Sequence, residues 1–179
     1  MTRSRHAAPL RTLAALALLA VLGACGKEEE PGASAAGAGP LPPGFQAIAA
    51  DARLEAPART ANCYAAPTRM VFHTQVEWNQ FWEDERRGCT VPPLPPGFDF
   101  SREMLVFAAM GKRMSEEDRI SIDATSTRAD TLLIFVRRTM QESGCAGRQA
   151  TFPQSLVKIP ADRRYTRFSE EHRRIPCGG

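Results

Sequence analysis

A chain of 179 residues that is 43% hydrophobic has room for one ordinary domain with a buried core, plus flanking segments. A net charge of +3, with acids and bases interspersed, excludes the one-sided basic stripe that nucleic-acid binding needs, and no nucleic-acid partner is expected. No Cys-x-x-Cys pair occurs, which argues against a thioredoxin-like redox centre or a paired-ligand zinc site.

The first 24 residues read as a secretory signal. Arg3, Arg5 and Arg11 make a basic head, and residues 13–24 are an unbroken run of Leu, Ala, Val and Gly. That run is shorter than the roughly 20 residues that cross a bilayer as a helix. Leu22-Gly23-Ala24-Cys25 resembles the bacterial lipobox, in which small side chains admit the peptidase and the thiol accepts a thioether-linked diacylglycerol. Cys25 is therefore the expected lipidation site, a membrane anchor once cleaved and acylated. Gly26, rather than an acid, follows it, which favours the outer over the inner membrane of a cell envelope.

Residues 26–44, "GKEEEPGASAAGAGPLPPG", combine an acidic patch with Gly, Ala, Ser and Pro. Such a segment buries too little surface to fold and is expected to be a flexible tether. The expected organisation is a signal peptide over 1–24, the lipidated cysteine and linker over 25–60, and a single domain over 61–179. Four cysteines remain in that domain, and an even number in an exported chain reads as two disulfides. Of the three possible pairings, Cys63–Cys177 would tie the ends of the domain and Cys89–Cys145 two loops.

Along the domain, "RMVFH" (69–73) reads as a strand ending at a helix cap. "HTQVEWNQFWEDERRGC" is the clearest helix: Thr74 and Glu77 form a capping box, and Gly88 is a natural stop. Trp78, Phe81 and Trp82 share one face, which is expected to pack on a sheet rather than hold a ligand. "VPPLPPGFDF" should be extended polyproline II. "EMLVFAAM" (103–110) has the continuous apolar character of a buried central strand, stopped by Gly111. "DRISIDAT" alternates, with Ile120 and Ile122 on one side and Ser121 and Asp123 on the other. With "STRAD" as turn and "TLLIFVRRT" as second strand it suggests a hairpin. "SLVKIP" (155–160) and "YTRF" (165–168) are further strand candidates. The predicted class is α+β, an antiparallel sheet of about five or six strands with one major helix packed on it.

Proline-flanked "FDFSREMLVFAAMG", the hairpin and "TFPQSLVKIP" together resemble the C-terminal domain of the PrcB-type lipoproteins, which stabilise protease complexes. The likeness spans about residues 68–168. Its most specific positions are Asp99, Phe100 and Ser101 before the first buried strand, the closing Gly111, and Phe152-Pro153 before the last apolar run. Family members often follow the closing glycine with a glycine-rich turn and an aromatic, whereas here Gly111 leads into the charged "KRMSEEDRIS". The resemblance implies an accessory lipoprotein that associates with a secreted protease, and it supplies no catalytic residue.

Nor do the residues themselves. No GxSxG, HExxH or P-loop is present, and an even cysteine count leaves no free thiol. Asp99 before Ser101 is read as an Asx-type turn. The acids Asp84, Glu85, Glu116, Glu117 and Asp118 follow no EF-hand pattern, and the mature chain offers only His73 and His172 as imidazoles. No catalytic residue, metal or cofactor is expected. The expected function is a lipid-anchored, non-enzymatic protein-binding module with an envelope partner, a protease among the candidates. The alternatives are a small-molecule-binding domain or an inhibitor that uses the 89–98 loop.

Overall fold

The structure, a computed structural model, describes residues 39–54, 66–86, 97–142, 147 and 149–177. In chain order the elements are β1 (Gln46–Ala47), a 3-10 turn (Ala50–Ala52), β2 (Arg53–Leu54), β3 (Thr68–Phe72), α1 (Gln75–Arg86), β4 (Glu103–Ala109), β5 (Arg119–Arg128), β6 (Thr131–Gln141), β7 (Gln154–Pro160) and β8 (Tyr165–Ile175). They form two four-stranded sheets, β1-β5-β6-β8 and β2-β7-β4-β3. Every pairing is antiparallel except β6–β8, which is parallel. The α+β class is as expected, but the strands divide between two sheets.

The division follows from β4, which is buried from Met104 to Ala109 because its two faces serve different layers. Met104, Val106 and Ala108 meet Ile120 and Ile122 of β5, Leu132, Ile134 and Val136 of β6, and Val157 and Ile159 of β7, making the core between the sheets. Leu105, Phe107 and Ala109 face the other way, onto Phe72, Trp78, Phe81 and Trp82. The order of layers is therefore sheet, sheet, helix. A single sheet would have left one face of β5 and β6 without cover.

Helix α1 starts as its sequence requires. The Glu77 N–H donates to Thr74 Oγ1 (3.2 Å), and the N–H groups of His73 and Thr74 donate to Glu77 Oε2 at 2.7 and 3.1 Å. The capping box thus satisfies three main-chain donors at the helix entrance. Trp78 is fully buried, and Phe81 and Trp82 nearly so. The expected stop at Gly88 and most of the proline-rich segment lie outside the described residues. Where the chain is described again, Phe98 sets its ring edge-on to Trp78 at 5.9 Å.

The β5–β6 hairpin pairs Arg128 with Thr131, so its turn is Ala129-Asp130, and Ser126 to Arg128 belong to the strand rather than the turn. Ala129 has φ +50°, and it is the one non-glycine residue with positive φ among those described. Positive φ at the first central position alone marks a II′ turn, which prefers glycine there. Ala129→Gly is expected to raise stability by about 1 kcal/mol, read as a higher urea midpoint at unchanged slope. A lower midpoint would show that the backbone strain has been misjudged.

Residues expected to be linker are partly structured. Pro40–Gly179 form one compact unit, so the segment from Pro40 to Leu54 belongs to the fold and not to the tether expected over 25–60. Gln46 and Ala47 pair with Thr125 and Ala124, Arg53 and Leu54 pair with Val157 and Leu156, and the Phe45 ring packs on Phe135 at 5.5 Å. The start of the segment, from Pro40 to Phe45, lies over the outer face of the first sheet, and the chain then crosses to the edge of the second.

That face holds a buried ion pair. Asp123 is the extra residue of a bulge in β5, since Ile122 and Ala124 sit opposite the consecutive residues Val136 and Phe135. Up to the bulge, even-numbered residues of β5 point to the inter-sheet core; after it the parity reverses. Asp123, on the side of β5 opposite Ile120 and Ile122 as expected, is 8% exposed and accepts from Arg137 Nη1 at 2.7 Å. Arg137 also donates to the Pro40 carbonyl (3.2 Å) and stands opposite Glu171 of β8, 3.5 Å from its carboxylate. Arg137, although charged, is thus buried on this face.

Candidate functional site

The longest strand edge that no described strand covers belongs to β8. Only "YTRF" was expected to be strand, but β8 runs from Tyr165 to Ile175 and pairs with β6 alone. Which way its main chain points follows from its ends. The Tyr165 N–H donates to the Asp130 carbonyl (3.2 Å), and the Ile175 carbonyl accepts from the Glu142 N–H (3.0 Å). The register between them is unbroken. Main-chain groups alternate along a strand, so odd-numbered residues face β6. Thr166, Phe168, Glu170, His172 and Arg174 turn their N–H and C=O groups to the open side. Glu170 is an exposed residue although its side chain is only 26% exposed, so its main chain contributes to what it shows to solvent.

Charged side chains bind this edge to its surroundings. Arg69, on the inter-sheet side of β3, donates to Glu170 (2.8 Å) and to the Ala109 carbonyl (2.7 Å). Arg138 Nη1 and His172 Nε2 lie 3.6 and 3.3 Å from the other Glu170 oxygen. Glu170 therefore bridges the edge strands of the two sheets. Burial pushes its carboxyl upward, but the bond from Arg69, with His172 and Arg138 nearby, more than offsets this and holds it below the usual carboxylate range. A carboxylate depressed in the folded state stabilises above its unfolded pKa, and that contribution is lost as pH falls through the folded value. Glu170→Gln should therefore lower the melting temperature at neutral pH and flatten its fall below about pH 4.5. Parallel melting curves for the two proteins would remove this role.

The positions that carry the family resemblance occupy structural sites. Asp99 accepts from the N–H and Oγ of Ser101 at 3.1 and 2.5 Å, and its carbonyl accepts from the Glu103 N–H at 2.9 Å, making the expected Asx turn into β4. Phe100 packs with Phe98 against the helix layer. Gly111 has φ +76°, a conformation that glycine adopts freely. The Pro153 carbonyl accepts from the Met110 N–H at 3.0 Å.

The charged loop after Gly111 is a built feature. Asp118, 2% exposed, takes Arg113 Nε at 2.6 Å and the Gln141 N–H at 2.8 Å. Thr151 Oγ1 donates to the Ser115 carbonyl (2.9 Å), and Arg113 and Thr151 exchange main-chain bonds. Beside this loop lies an open depression of about 250 Å³ walled by Glu116, Arg119, Thr151, Phe152 and Pro153. Its buried carboxylate, Asp118, is already fully committed. The space between helix and sheet, where converging polar groups would have marked a ligand site, is filled by the aromatic cluster.

Cys25, Cys63, Cys89 and Cys145 lie outside the described residues, as do positions 89–96 of the proline-rich loop. Cys177, exposed just past β8, is disulfide-bonded. Among the described residues no three His, Cys, Asp or Glu side chains are grouped to hold a metal, and no helix is long and apolar enough to cross a membrane. Comparison with family models, with curated proteins and with solved structures returned no match.

Proposed function

We propose that this protein is a lipid-anchored, non-catalytic accessory module of the cell envelope that binds a protein partner by strand addition along β8. The observation that carries the reading is the edge itself, with every second residue from Thr166 to Arg174 facing outward and no strand paired to them among the described residues. Main-chain groups on such an edge supply affinity to any extended segment, and the flanking side chains select it. The anchor at Cys25 would hold the module at the membrane, where tethering raises the effective concentration of an encounter. The PrcB-type resemblance makes an exported protease complex the first partner to look for.

The test is co-purification of the tagged, lipidated protein from its own envelope in mild detergent, alongside a His172→Pro variant. Proline removes an outward N–H and leaves the β6 ladder intact. A protease or assembly factor recovered at near-stoichiometric yield, and lost with His172→Pro at unchanged melting temperature, supports the reading. A partner retained equally by both proteins would move the contact elsewhere.

A further inference from the structure

We infer that β8 pairs with β8 of a second copy, antiparallel about His172, and joins two four-stranded sheets into one continuous sheet. The inference rests on the reading of β8 as a docking edge, and it names the occupant.

The charges on residues 170–174, Glu-Glu-His-Arg-Arg, favour this pairing. Their order is antisymmetric about the central histidine. Only residues whose main chains both turn outward can exchange hydrogen bonds across such an interface, so even-numbered residues must face even-numbered ones. Five registers centre on this stretch, and about Arg174 that guanidinium faces its own copy. About Glu170, Arg167 faces Arg173; about Glu171, that carboxylate faces its own copy. About Arg173, the guanidinium faces itself and His172 faces Arg174. About His172 every charge meets its opposite: Glu170 faces Arg174 and Glu171 faces Arg173, each twice by symmetry. Cross-strand pairs of opposite charge stabilise a ladder and like charges oppose it, so of the registers centred on this stretch one is selected.

The main chain fits the same register. His172 with its copy, and each Glu170 with Arg174, become hydrogen-bonded pairs. Pro176, which has no N–H, falls opposite Phe168 and ends the ladder. His172, Arg173 and Arg174 are exposed, Arg69 approaches Glu170 from the inter-sheet side, and among the described residues nothing bonds to the outward main-chain groups of Glu170, His172 and Arg174. A symmetric interface needs one self-complementary patch, and this strand supplies it.

Charge swaps test the idea in the mature, lipidated protein, purified in mild detergent from cells that co-express two differently tagged copies. Association is read as co-capture of the second tag and as native mass. The wild type should be a dimer. Arg173→Glu alone sets carboxylate against carboxylate at both 171–173 pairs, and Glu171→Arg alone removes both Glu171–Arg173 attractions. Each should weaken self-association by at least about tenfold. A copy carrying Arg173→Glu paired with a copy carrying Glu171→Arg restores every opposite-charge contact and should associate as the wild type does. That rescue also separates a specific loss from misfolding, and Arg137 keeps Asp123 as a partner when Glu171 is replaced. A monomeric wild type, or an Arg173→Glu protein that dimerises undiminished, would overturn the inference. A monomer that still captures an envelope partner through β8 overturns self-pairing alone. A dimer sensitive to these swaps that captures none supports self-pairing and sinks the accessory function.

Discussion

Trp78→Ala should leave the domain mostly unfolded at 37 °C, because it costs about 3–5 kcal/mol against a total of about 5–15 for a domain of ordinary stability. Trp78 is fully buried, and its ring lies 5.3–5.9 Å from those of Phe72, Phe81, Trp82 and Phe98. These rings come from β3, from α1 and from the segment leading into β4, so alanine opens a void that no single element can close. The lost aromatic contacts add to the lost burial. Trp82 touches fewer of these rings, and Trp82→Ala should cost less. Urea unfolding followed by far-UV circular dichroism is the direct measurement. A Trp78→Ala protein with a wild-type midpoint and a lost partner would reassign the helix face to binding.

The second large effect is expected on the opposite side of the molecule. Arg137→Met should destabilise by about 3–5 kcal/mol, since it strands the Asp123 carboxylate beneath the segment that starts at Pro40. Arg53 remains 3.4 Å from Asp123, but its side chain is 42% exposed and compensates little. The double variant Asp123→Asn/Arg137→Met leaves no buried charge, so it should be more stable than Arg137→Met alone. Chemical denaturation of the four members of this cycle measures the coupling. Additive losses would mean that the two side chains act independently despite their 2.7 Å contact.

Strong local patterns were legible in the sequence. The continuous apolar run of β4, the capped aromatic helix and the alternation through Ile120 and Ile122 each led to the right element. What was missed depends on long-range cover. β1 and β2 are two residues each in an alanine-rich stretch, too short for any period to register. They exist because sheet edges elsewhere in the chain accept them. The C-terminal half of β8 is charged throughout, as suits an edge strand protected from indiscriminate pairing, and it therefore lacks an apolar signature. Asp123 and Arg137 are charged, and nothing on their own strands signals that they are covered. Only the bulge and the overlying Phe45 segment place them inside. The resemblance positions were found where turns and strand entries need them, and the open edge shares no residue with them.

The parallel pairing of β6 with β8 has a consequence for the timing of folding. After β6 the chain leaves its sheet, supplies β7 to the other, and only then returns, so the two sheets are stitched through each other. β7 lies between β2 and β4, and Arg53 finds its neighbour at Val157. Neither sheet can be finished from the N-terminal side alone, and such distant contacts form slowly, on the order of milliseconds to seconds. A ribosome or a translocation pore that still holds residues beyond 154 therefore holds a chain without its closing strands. The last strand to emerge locks the structure, and until then the polypeptide stays threadable.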